Sequence, residues 1–212
     1  MKTFEEYLKS ISQINRLGAD KAVEWLFYPG MLFLSKDRWW GDLKKVRATA
    51  HEGIDICFFR NAENKILGLD SGALVPALEK GKIINICNDF LGHSLIVESR
   101  VKQVSENKIQ GEVTPCDLDS DLDSDLDFNP ACSRVVIVYA HIVPDKNLKI
   151  NDNIKEEQIV AKVCNTHKNL LLPPHLHLSC FEIPENIKPD ELNWTFFTSS
   201  IHVCPVNPVF LY

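Results

Sequence analysis

The sequence predicts a mainly β fold: an antiparallel β-sheet domain with an N-terminal helical addition, α+β overall. Three observations carry that expectation. From about Gly53 onward, short runs rich in β-branched residues follow one another with turn residues between them. No ten-residue helical pattern interrupts these runs, so the strands are expected to pair antiparallel, without helical crossovers. The opening stretch places Phe4, Tyr7, Leu8, Ile11 and Ile14 at helical spacing with charges between them.

That opening stretch reads as an amphipathic helix. A second short helical segment is expected over 19–27, after the Leu17-Gly18 break and before Pro29-Gly30. Strands are expected at 54–59, 83–87, 94–101, 109–113, 134–142, 158–163 and 176–181. Between two of them, over 117–128, a four-residue unit repeats three times, as Asp-Leu-Asp-Ser twice and then Asp-Leu-Asp-Phe. Its like charges repel and its leucines find no partner pattern, which describes a solvated, mobile hairpin loop. Calcium capture would need glycine-punctuated ligand geometry that this run lacks. After 185 the chain is broken by Pro189, Pro205 and Pro208, with a helical turn expected over 190–197. The expected organisation is a helical segment 1–42, a main domain 43–185 and a tail 186–212 packed on it.

At 212 residues the chain has room for one substantial core and little more. The net charge of -6 invites a search for basic partners until the acidic run is set aside. Without its six aspartates, acidic and basic residues balance at 23 each, which leaves no electrostatic case for nucleic acid or an anionic membrane surface. No stretch approaches the roughly 20 apolar residues of a membrane span, so no span is expected. The first residues lack a signal peptide's apolar core, and the sequence by itself reads as cytoplasmic. The seven cysteines show no Cys-x-x-Cys pairing, so reduced, mostly buried thiols are expected rather than a disulfide framework or thiolate zinc site.

Five polar residues stand out: His51 and Asp55 in His-Glu-Gly-Ile-Asp, His141 in Tyr-Ala-His, and His175 and His177 in His-Leu-His. A zinc ion that does chemistry takes few protein ligands, drawn from His and Asp/Glu, and keeps one position open. Five such residues supply three ligands and two spare imidazoles. His175 and His177 alternate within a strand pattern and so share a face with Ser179, while Leu176, Leu178 and Cys180 make the other face apolar. Gly53 is expected to let the backbone bend between His51 and Asp55. Spacing alone leaves open which of His175 and His177 would hold metal.

His-x-Gly-x-Asp, then Tyr-x-His, then His-x-His, in that order, resembles the M23 (lysostaphin/LytM-like) zinc metallopeptidases, over roughly residues 45–185. Between these anchors, Leu74-Val75-Pro76-Ala77 with Gly81-Lys82-Ile83, and Leu91-Gly92-His93-Ser94-Leu95-Ile96-Val97, also resemble the family's pattern. Asn151 and Glu157 stand where the family usually has turn glycines. The resemblance implies an antiparallel sheet of the LytM/M23 peptidase type and one zinc held by His51, Asp55 and His177. It makes His141 and His175 the catalytic histidines. It further implies a metallo-endopeptidase using a zinc-activated water on peptidoglycan cross-bridges or stem peptides, and hence the cell envelope. The alternatives are a non-catalytic module that binds peptidoglycan or activates a cell-wall amidase, and an intracellular peptidase with another substrate. Retention of all five residues favours the enzyme.

Other residues read as ordinary. Trp39-Trp40 is expected to pack rather than to form a substrate platform. Arg47 is expected to be solvated, and His93, His167 and His202 lack ligand spacing. Cys57 is expected to be a buried thiol on the Asp55 side of its strand.

Overall fold

The computed structural model describes residues 3–19, 21–99, 133–165, 172–201 and 203–210. The expected strand 109–113, the acidic run 117–128, His167 and His202 lie outside the described residues. Helix α1 (Phe4–Ile14) starts at a capping box, in which the Thr3 side chain accepts from Glu6 N–H and the Glu6 carboxylate accepts from Thr3 N–H. Two otherwise unsatisfied backbone donors are thereby bonded. The helix buries Tyr7, Leu8 and Ile11 against the sheet. Its Tyr7 hydroxyl donates to the Pro76 carbonyl at 3.0 Å. At its C-terminus Asn15 accepts from Leu74 N–H at 2.6 Å and donates to the Leu74 carbonyl at 2.9 Å. Leu74 belongs to β5 (Leu74–Pro76), which pairs on one side with β10 (Ile159–Val163). Asn15 therefore covers the strand's open edge.

The expected helix over 19–27 does not form. Instead β1 (Glu24–Leu26) pairs with β3 (Phe58–Arg60), which also pairs with β4 (Ile66–Gly68) in a three-stranded sheet. Trp25 lies opposite Phe59 with ring centroids 5.8 Å apart, and its indole N–H donates to Ser12 Oγ at 3.0 Å. These tertiary contacts outweigh the weak helical preference of the segment. Gly18 and Ala19, at φ 79° and 49°, turn the chain away from α1 before it.

The main sheet is antiparallel, in the order β12 (Cys204–Val206), β11 (Leu176–Pro184), β8 (Ser133–Pro144), β7 (His93–Ser99), β6 (Gly81–Asn88) and β9 (Asn153–Ile154). Strand β2 (Gly53–Ile56) also pairs with β11, and β10 also pairs with β8. The strand expected over 54–59 is thus split at Cys57, its halves joining different sheets. Side-chain alternation divides the sheet into two faces. Ile137, Tyr139, Leu178 and Cys180 face the larger core with α1, while Val136, Val138, Phe181 and Ile183 face a smaller one. The smaller core is covered by α2 (Trp194–Ser199), where Phe197 stacks on Phe181 at 4.4 Å.

Cys57, Cys164 and Cys180 are buried free thiols and Cys87 a half-buried one. Cys204 departs from the all-reduced expectation, being disulfide-bonded. Pairing across a fold leaves no mark in cysteine spacing, which is why the sequence did not reveal it.

The Tyr139 hydroxyl, fully buried, accepts from Leu78 N–H at 2.8 Å. Tyr139→Phe leaves that buried donor without its acceptor. A loss of about 1–3 kcal/mol of unfolding free energy is expected by denaturant titration, with the far-ultraviolet spectrum unchanged.

Candidate metal centre

The site is assembled by the register of β11. His177 lies directly opposite Asp55 of β2 on one side and Ala140 of β8 on the other. His51 immediately precedes β2 and is fixed by its backbone, its N–H donating to the Ser35 carbonyl at 3.0 Å and its carbonyl accepting from Leu34 N–H at 2.7 Å. Three ligand atoms converge: His51 Nε2 lies 3.1 Å from His177 Nδ1, His177 Nδ1 lies 2.8 Å from Asp55 Oδ1, and Asp55 Oδ1 lies 3.3 Å from His51 Nε2. All three residues are buried.

These atoms fit a cation. His51 Nδ1 faces the Leu32 carbonyl at 3.1 Å, an acceptor only, so the proton of a neutral ring sits there and Nε2 is bare. His177 Nε2 is 2.6 Å from Ser179 Oγ, which leaves Nδ1 as the nitrogen facing Asp55. A bare imidazole nitrogen, a second imidazole nitrogen and a carboxylate oxygen thus face one another, and with the His177 proton placed on Nε2, toward Ser179 Oγ, both nitrogens would offer lone pairs to a cation. Ligand atoms on a tetrahedral zinc with bonds of about 2.0–2.1 Å stand about 3.3 Å apart. The observed triangle is slightly tighter, so a small outward movement of the side chains would admit the ion.

Groups around the triangle hold it in place. The Trp39 indole N–H donates to Asp55 Oδ2 at 2.6 Å, and Arg47 Nη2 lies 3.4 Å from the same oxygen. Burial opposes ionisation of Asp55, yet the neighbouring imidazoles of His51 and His177 hold its carboxyl well below the usual carboxylate range. Arg47 is not solvated as expected: it donates to the Gly30 carbonyl at 2.9 Å and its guanidinium lies 4.5 Å from the Trp40 ring centre. Trp39 packs as expected, but its N–H also serves the carboxylate. Cys57 is buried with its thiol on the Pro174 carbonyl at 3.4 Å, outside the converging triangle, and burial pushes it up to about 12.

Gly53 has a role different from the expected bend. Its φ is not in the left-handed region; instead a Cβ there would stand 2.5 Å from the Leu178 carbonyl and press on Ser179 Oγ. Glycine is needed because β2 and β11 approach closely beside His177.

His141 reaches the site by a bulge. Along β8, strict alternation from Tyr139 would send the 141 side chain into the larger core. The pairing with β7 shifts between Leu95↔Tyr139 and His93↔Ile142, which puts one extra residue on β8, and His141 adopts φ 61°. A left-handed residue in such a bulge re-aims its side chain. The ring accordingly packs 4.9 Å from that of His175 and 5.6 Å from that of His177, centre to centre.

His175 Nδ1 faces the Pro173 carbonyl at 2.9 Å, leaving Nε2 bare, 3.8 Å from Asp55 Oδ1. Burial lowers His175 to about 4, against the opposing pull of Asp55, so it is neutral at physiological pH. The five residues singled out in the sequence therefore meet at one point. Four of them, Asp55, His141, His175 and His177, border a cavity of about 210 Å³ walled by Trp40, Phe90, Leu172 and Trp194. Sequence reasoning passed over Phe90, Trp194 and Asp89, which meets His141; all three lie outside the motif spacings. His93 remains exposed at the start of β7.

Two substitutions test this geometry. Trp39→Phe keeps the ring but removes the donor to Asp55, and zinc affinity, measured by competition with a chromogenic chelator, is expected to fall about 10- to 100-fold. Gly53→Ala must push β2 from β11, with an expected loss of about 1–3 kcal/mol in thermal or chemical unfolding.

No protein-family model and no curated protein matches the sequence. Among solved structures, LytU is similar at 17% identity, over 80% of this chain and 79% of that one, with a TM-score of 0.43. The catalytic domain of the antimicrobial peptidase lysostaphin from Staphylococcus simulans is similar at 14% identity, over 88% of this chain and 98% of that one, at 0.39. A zinc-containing peptidase from Vibrio cholerae is similar at 17% identity and TM-score 0.40, over 85% of this chain but 40% of that one. With TM-scores below 0.5, these likenesses carry no weight for function, which rests on the residues themselves.

Proposed function

We propose that the protein is a zinc metallo-endopeptidase of the M23 type, with His51, Asp55 and His177 holding one zinc ion and His141 and His175 as the catalytic histidines. The observation that carries this reading is the convergence of His51 Nε2, His177 Nδ1 and Asp55 Oδ1 within 3.3 Å of one another, with two further imidazoles against them. When bound, zinc supplies Lewis-acid polarisation of a carbonyl oxygen and makes a water acidic enough to attack near neutral pH. The chain's own groups do the rest. Asp55, held by Trp39 and Arg47, keeps its ionised oxygen on the His51–His177 side. His175 offers a bare Nε2 at the rim of the triangle, positioned to orient the attacking water. His141 and His175 together take the water's proton, stabilise the tetrahedral oxyanion and return a proton to the leaving amine. Leu172 and the aromatic walls of the cavity exclude bulk water, which strengthens each of these interactions.

The motif resemblance points to peptidoglycan cross-bridge or stem peptide as substrate. The test pairs metal analysis of the purified chain with turnover on intact peptidoglycan and on oligoglycine peptides. About one zinc per chain and cleavage of at least one substrate are expected. One zinc without cleavage of any peptide would instead assign a binding module, and no zinc would remove the centre altogether.

Substitutions separate the roles. His51→Ala and His177→Ala are expected to lose the metal. His141→Ala and His175→Ala are expected to keep it while turnover falls by about 100-fold or more; full activity in both would refute their assignment.

A further inference from the structure

Asp89 lies in the turn between β6 and β7, and its side chain is wholly buried. A turn aspartate commonly bonds its own loop, and Asp89 Oδ1 does so, accepting from Leu91 N–H at 2.8 Å and Gly92 N–H at 2.6 Å. A loop-forming role ends there, but the other oxygen reaches across to β8. Asp89 Oδ2 accepts the backbone N–H of His141 at 2.8 Å, the donor at the left-handed position of the bulge. It also accepts from the Ser94 hydroxyl at 2.9 Å, and Ser94 Oγ in turn accepts the Trp194 indole N–H at 2.8 Å. The carboxylate is thus fixed by two loop amides, a bulge amide and a hydroxyl tied to α2.

His141 Nδ1 lies 3.4 Å from Asp89 Oδ1, buried, with no acceptor in good bonding geometry among the described residues. Of the two neutral tautomers, one would set a lone pair against this carboxylate; the other would present a proton to it. A short closing movement completes the second arrangement, as catalytic hydrogen bonds tighten when substrate binds.

We propose that Asp89 is the positioning residue for His141: it secures the bulge that turns His141 into the cleft and fixes the Nδ1–H tautomer, leaving the Nε2 lone pair for proton transfer. The catalytic part rests on the proposed reading of His141 as a reacting imidazole; the pairing of Asp89 with His141 does not. A carboxylate that orients an imidazole acts through tautomer and aim without touching substrate.

The experiment is long-range proton–nitrogen correlation of the ring nitrogens in zinc-loaded, nitrogen-15-labelled protein, with His141 assigned by its loss in His141→Ala. In the wild type, His141 is expected to carry its proton on Nδ1. In Asp89→Asn, the ring is expected to move to Nε2–H or a mixture, while kcat on a cleaved peptide falls at least about tenfold with KM within about twofold and zinc retained. An Nε2–H ring in the wild type overturns the proposal, as does an Asn variant with tautomer and kcat unchanged. Should that variant not fold, the wild-type spectrum alone decides. An Nδ1–H ring in a protein that cleaves no peptide would refute the catalytic reading while upholding the pairing.

Discussion

The whole site hangs on the register of β11 between its two neighbours. His177 is cross-strand from Asp55 on one side and from Ala140 on the other. A slip of one residue would turn His177 and Ser179 into the larger core and Leu178 and Cys180 onto the site face, because side chains alternate at every step. The hydrophobic pattern that folds the sheet is therefore the same constraint that brings the ligand atoms together. The absence of a side chain at Gly53 is what lets β2 lie this close to β11.

Alternation alone, however, would have kept His141 out of the site. Tyr139 and Ile142 both lie in the larger core, and the residue between them that leaves it is possible only because of the extra residue in β8. A bulge of this kind breaks a ladder and unpairs a backbone donor, and a non-glycine residue at φ 61° costs about 1–2 kcal/mol. The Asp89 carboxylate offsets both by accepting the released N–H. Buried polar groups elsewhere around the triangle are likewise bonded, with Leu32 on His51, Ser179 on His177, Pro173 on His175 and Trp39 on Asp55. Each bond selects a tautomer or an oxygen, so rigidity and chemical state come from the same contacts.

Much of this was legible beforehand, and the exceptions have physical reasons. The alternating pattern of 176–181 foretold both faces of β11, including Ser179 beside the histidines. The Tyr139–His141 pair could be seen only as a motif, since alternation puts the two on one face and a bulge has no dependable sequence signature. Gly53 was read as a bend when it is a contact, because the partner strand lies more than a hundred residues away. Arg47 and Trp39 were passed over for the same reason: their partner, Asp55, adjoins them only once the chain is folded. At Asn151 and Glu157 the expected glycines are missing, yet both residues hold the positive φ, 78° and 63°, that glycine would adopt freely. The conformation is kept although the residue type has changed.

The chemistry and the shape of the cleft come from different parts of the chain. The five central residues sit on or beside β2, β8 and β11, whereas the aromatic walls are Trp40 from the segment before β2, Phe90 from the β6–β7 turn and Trp194 from α2. On the proposed function the first set answers to a metal ion and a water, whose requirements are the same for any peptide bond, so few residue types in one order suffice to announce it. The second set answers to whatever side chains flank that bond, and a wall can be built from any large residue on any nearby loop. Trp194 touches both sets: its ring centre lies 5.5 Å from that of His177, and its N–H anchors Ser94 against Asp89. The tail thus joins cleft shape to the alignment of His141, and a ligand that pressed on Trp194 would reach His141 through three hydrogen bonds, Trp194 to Ser94, Ser94 to Asp89 and His141 N–H to Asp89.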